Sequence, residues 1–176
     1  MIPLETVFIG WVIFFAIIGA LRGWAKELLV TFSVILAAFI EMVIVLYVPV
    51  LSSAVQLLQT TEPQTWFYLR MIIFAILVSF GYATTILSPR LSSRARRERF
   101  QDSLLGLFLG AINGYLVMGM VWGFLDQLNY GIWGITGPQS PAAQNFTNFL
   151  PPDLLQGPSL FVAVAVAFAF VLIVFI

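Results

Sequence analysis

The chain has no cysteine and no histidine in 176 residues. That excludes disulfides, thiol catalysis and metal sites built on thiolate or imidazole. It also removes the commonest axial ligand of haem, which weakens any reading as a pigment carrier. Charge is scarce too. Only 9% of the residues are charged, against about 25% in a soluble domain. No basic stretch precedes the first apolar segment in Met1-Ile2-Pro3-Leu4-Glu5, so that segment is expected to stay as a membrane helix rather than be cleaved as a leader. No nucleophile–base pair, metal cluster, phosphate loop or catalytic carboxylate pair stands out. The acidic residues are scattered over connections and separate helices, and neither an enzyme nor a bound cofactor is expected.

What remains is apolar. Hydrophobic residues make up 61% of the chain, with a mean hydropathy of +1.01. One chain of this size cannot hide so much apolar surface inside itself, so its solvent must be mostly lipid. The apolar runs are long and lack period-two alternation. The expected class is therefore an all-α, polytopic helical bundle rather than a barrel. Five transmembrane helices are predicted, over about residues 6–21, 28–47, 66–88, 103–125 and 158–176. They divide the chain into a four-helix membrane core (1–127), an interfacial connection (128–157) and a fifth helix. The connection around residues 50–65 carries the apolar run Val55-Gln56-Leu57-Leu58, which suits the membrane surface.

The stretch 102–126 reads as the hub. Gly106, Gly110 and Gly114 recur every fourth residue and so form one narrow stripe on a helix. Glycine on a membrane helix lets a neighbouring backbone approach closely. Asn113 lies beside the stripe and could hydrogen-bond across such a contact. Gly119 and Gly123 lie on nearly the opposite side, which suits a second neighbour. Asp102 or Ser103 is expected to cap this helix.

Seven of the eight basic residues fall in two connections. Arg22 and Lys26 follow the first helix in a tight basic turn. Arg90, Arg94, Arg96, Arg97 and Arg99 form a loop before the fourth. The positive-inside rule makes both connections cytoplasmic. The N-terminus is then outside, the C-terminus inside, and the bacterial inner membrane is the expected location. The basic loop reads first as a topological signal, and contact with anionic lipid is compatible with it. Nucleic-acid binding is not expected of so short a loop.

Two ionisable residues sit inside predicted spans, Glu41 in the second helix and Arg70 in the third. A lone charge at mid-membrane costs about 2.5–3.5 kcal/mol on insertion scales. The helices are antiparallel neighbours and the two residues lie at similar depth. An intramembrane ion pair fixing helix register is the leading reading. Arg70 reaching to the headgroups alone, or a proton or ion pathway, stay open beside it.

Two stretches resemble the colicin V production protein (CvpA-like) family of bacterial inner-membrane proteins. Arg22-Gly23-Trp24-Ala25-Lys26-Glu27 is similar to the family's Arg-Gly-x-x-Arg/Lys-Glu turn after its first helix. Asp102-Ser103-Leu104-Leu105-Gly106 with Gly110, Gly114 and Phe124-Leu125-Asp126 is similar to its Asp-x-x-Leu-Gly-x-x-x-Gly-x-x-x-Gly helix. The resemblance covers about residues 6–126. Asn113 departs from it, since the family often has a basic residue there. The resemblance implies a role in secretion and envelope maintenance without established chemistry. The leading expectation is a non-catalytic scaffold or accessory subunit, with lipid and other membrane subunits, or further copies of itself, as partners. The alternatives are an oligomeric channel or export component, and a quinone- or pigment-associated subunit of a respiratory or photosynthetic complex.

Overall fold

The computed structural model describes residues 3–87 and 99–175. Eight α-helices and one short 3-10 turn make up the ordered elements there, with no strand among the described residues. Helix α1 spans Leu4–Arg22 and α2 spans Trp24–Tyr47. A single residue, Gly23, turns the chain between them at φ +88°. That is a backbone region side chains avoid and glycine tolerates. The second helix therefore starts at Trp24 rather than near residue 28. The stretch expected as a basic turn is a one-residue corner followed by the first turn of α2.

Prolines place the next boundaries. Pro49 opens α3 (Pro49–Thr61) and Pro63 opens α4 (Pro63–Leu87). Proline suits the first helical position, where its missing N–H costs nothing. Helix α3 was not among the expected elements. Its reason is plain once bracketed by the two prolines: Leu51, Val55 and Leu58 share one face, and Val55 is buried. Helix α5 is described from Arg99 and ends at Gln127. The following connection folds into α6 (Pro141–Phe146), a 3-10 turn (Thr147–Phe149) and α7 (Pro151–Leu154) before α8 (Gly157–Phe175).

Four helical stretches are long and apolar enough to cross a membrane: Leu4–Arg22, Trp24–Tyr47, Pro63–Ala83 and Phe100–Gln127. The expected fifth span is reached only if Pro141–Leu154 and Gly157–Phe170, bent by 59° at the break between them, count as one. The fold is a polytopic helical bundle. Helix α5 lies along α1 and also meets α2 and α7, while α2 in turn holds α4 and α8. The hub is thus a pair of helices, α5 and α2. The core fills from Val30, Val34 and Ala37 of α2, Phe74 and Val78 of α4, and Met120 and Phe124 of α5. Helix α8 touches the bundle through α2, with Phe161 on Phe39 and Phe170 on Phe32. The connection is tied back to the start of α1, where Glu5 accepts the backbone N–H of Ser140 at 3.3 Å.

Candidate functional site: two polar clusters and the glycine contact between helices

The glycine stripe of α5 faces α1. A Cβ on Gly110 would stand 2.4 Å from the carbonyl oxygen of Phe15, and one on Gly106 would stand 2.3 Å from that of Gly19. Gly114 abuts Val12 and Phe15 in the same way. The two backbones touch, so dispersion contacts accumulate along the whole seam. On the other side, Gly119 and Gly123 receive the rings of Pro151 and Pro152. The second neighbour of α5 is thus the short α7 rather than another spanning helix.

Where α1 turns into α2, a charged cluster lies beneath the seam. Glu27 and Asn113 are both completely buried. Arg22 Nη1 donates to Glu27 Oε1 at 2.6 Å. Asn113 Nδ2 donates to Glu27 Oε2 and to the Glu27 carbonyl, both at 2.8 Å. Thr31 Oγ1 donates to Asn113 Oδ1 at 2.7 Å. The Arg22 guanidinium also lies over the Tyr82 ring, 4.5 Å from its centre. Asn113 thus reaches α2, not the α1 seam beside which it lies in sequence. A buried carboxylate is tolerable only when paired and hydrogen-bonded, and this one has both.

Asp102 corrects an expectation. It lies inside the first described turn of α5 and serves the beginning of α2, where Trp24 N–H donates to its Oδ1 at 3.2 Å. A carboxylate there also faces the positive end of the helix dipole. Ser103 donates to the carbonyl of Ala20, at the end of α1, at 2.9 Å. Neither residue caps its own helix. Both tie α5 to the α1–α2 corner. A Cβ on Gly23 would stand 2.7 Å from Asp102 Oδ2, so the corner glycine is required by contact as well as by φ.

The second cluster lies toward the opposite end. Arg70 Nε donates to Glu41 Oε1, and Arg70 Nη1 donates to Gln127 Oε1. The guanidinium face packs on Phe124, 3.9 Å from the ring centre. Beside this group is a cavity of about 320 Å³ whose lining includes Glu41, Arg70, Gln59, Gln127 and Trp66. A second of about 300 Å³ shares Arg70, Trp66, Gln59 and Gln127 with it. Between the two clusters the core is closed by Val34, Ala37, Phe74, Val78 and Met120, all buried.

The structure therefore brings Glu41 and Arg70 together, and sets Gly106, Gly110 and Gly114 apart from Gly119 and Gly123 on different neighbours. Lys26 lies half-buried in the first turn of α2. Arg90, Arg94, Arg96 and Arg97 lie outside the described residues, and Arg99 begins the described part of α5. Thr31 and Tyr82 were not singled out from sequence, and Glu27 entered only as the last residue of the turn that carries the family resemblance. The available signal was the spacing of Glu27 and Thr31, one helical turn apart on one face, once α2 is begun at Trp24.

The family whose pattern matches this chain is described as colicin V production protein, and the match covers residues 4–140. No curated protein and no solved structure matches the chain. The matched span takes in both motif stretches, the whole α1–α5 seam and the charged corner. The chain belongs to the colicin V production protein family.

Proposed function

We propose that this multi-pass membrane protein is non-catalytic and works by lateral packing, as a scaffold or accessory subunit of a larger assembly in the bacterial inner membrane. The observation that carries the reading is the dry layer between the polar clusters. Val34 is 0% exposed, Met120 2% and Ala37 3%. A channel within one copy needs a continuous wet path, and this layer interrupts it. The bundle also presents broad apolar faces sideways, such as Ile72, Ile76 and Phe80 on α4 and Val162, Val166 and Phe168 on α8. The glycine stripes are taken up within the chain, so a partner subunit would meet these larger side chains.

Two measurements test this. Reconstituted in planar bilayers, the purified protein is expected to be electrically silent. Reproducible single-channel currents, lost in Glu41→Ala or Arg70→Ala while the fold persists, would promote the channel alternative. Extracted from native membrane in mild detergent, the protein is expected to co-migrate with other membrane subunits. Migration as a lone chain at native abundance would sink the scaffold reading.

A further inference from the structure

The cavity beside Glu41 and Arg70 has a mixed lining. Met42, Val45 and Leu46 of α2 contribute apolar surface, while Gln59, Gln127 and the charged pair contribute polar groups. Arginine has five N–H groups. In Arg70 the Nε group goes to Glu41 and one Nη1 group to Gln127. Among the described residues the remaining three find no protein acceptor, and Glu41 Oε2 finds no donor. Neither Arg70 Nη2 nor Glu41 Oε2 is fully buried, and both residues line the cavity. The face of the guanidinium is occupied by Phe124. Its open edge is therefore what a ligand would meet.

The pair is neutral as a whole. A simple anion approaching Arg70 would also meet the Glu41 carboxylate, and a simple cation would meet the guanidinium. A head carrying both charges a few ångströms apart satisfies both partners at once. The apolar part of the lining suits hydrocarbon chains, and about 300 Å³ is the lower end of ligand-sized pockets. We propose that this cavity binds the zwitterionic head of a phosphate amphiphile, with the phosphate on the edge of Arg70 and a primary ammonium on Glu41 Oε2. This goes beyond the packing role proposed above and does not depend on it.

Phosphatidylethanolamine carries this chemistry, and so does free phosphoethanolamine. Delipidated full-length protein in detergent is titrated with phosphatidylethanolamine or with phosphatidylglycerol of the same chains. Bound lipid is counted by native mass spectrometry. Retention of phosphatidylethanolamine about tenfold tighter is expected. The preference should vanish in the double variant Glu41→Gln/Arg70→Gln, which removes both charges without stranding either. Equal retention of the two lipids by the unaltered protein overturns the proposal, with no reference to any variant. An unchanged preference in the folded double variant also overturns it. Competition with free phosphoethanolamine assigns the source: displacement of the lipid identifies the head alone as the recognised group, and retention identifies the whole amphiphile. Failure to bind either probe ends the idea.

Discussion

At the scale of single residues, Glu27 sets the sharpest demand. Its side chain is fully buried and takes donors from Arg22 and Asn113. Inter-helix hydrogen bonds in membranes average only about 0.6 kcal/mol. A buried group left unsatisfied costs about 1–3 kcal/mol, and more if charged. The second effect governs here, because removing the amide of Asn113 leaves the carboxylate in place. Asn113→Leu is expected to lower the thermal midpoint in detergent markedly. Adding Glu27→Gln to that variant should cost less than it does in the native protein, since the hydrogen bond between the two residues is already gone. Strictly additive losses in the double variant would mean that the two residues do not share a network. Lysine at position 113, closer to what the resemblance leads one to expect there, would face this same carboxylate. Glu41 and Arg70 could be linked from sequence, because each sits at a countable depth below the outer end of an expected helix. Glu27 could not. It was read as part of a tight basic turn between two helices, and only the one-residue corner at Gly23 brings it inside.

At the scale of elements, the α1–α5 seam carries the bundle. A Cβ on Gly19 would come within 2.2 Å of the Gly106 carbonyl oxygen, whereas one on Gly10 of the same helix would meet nothing within 4 Å. The two glycines thus make a matched pair for a test. Gly19→Leu and Gly110→Leu should each separate α1 from α5, seen as loss of a cross-link between cysteines placed on facing turns. Gly10→Leu should leave both the cross-link and the thermal midpoint unchanged. Equal tolerance of leucine at positions 10 and 110 would refute the close seam. Span lengths were legible in the sequence because the thickness of the hydrocarbon core fixes how long an apolar run must be. The partner of the glycine stripe was not. A stripe says that some backbone comes close, but not which one, and α1 answers it with the single Gly19 rather than a ladder of its own. The same limit applies to Asp102. A capping residue before a helix was readable, yet the N-terminus it serves belongs to another helix and is far away in sequence.

At the scale of the molecule, the path of the chain separates two ends. The α1–α2 corner holds Arg22 and Lys26, and α5 is entered at the same end, since Asp102 and Ser103 bind that corner. Helix α8 runs antiparallel to α2, because Phe161 pairs with Phe39 and Phe170 with Phe32. Its later turns therefore head toward the basic end. The other end gathers the start of α1, helix α3, the end of α5 and the connection through α6 and α7, where Glu5 meets Ser140. Cytoplasmic loops hold the excess of lysine and arginine. The end with the α1–α2 corner should then face the cytoplasm and the end with α6 and α7 the outside. The native chain has no cysteine, so single cysteines report position cleanly. Asn148, just before α7, and Gln101, at the start of α5, are both exposed. In intact spheroplasts a membrane-impermeant maleimide is expected to label Asn148→Cys. It should reach Gln101→Cys only after the membrane is permeabilised. The reverse pattern would invert the orientation. Labelling of both positions before permeabilisation would mean that the two ends do not lie on opposite sides of the membrane.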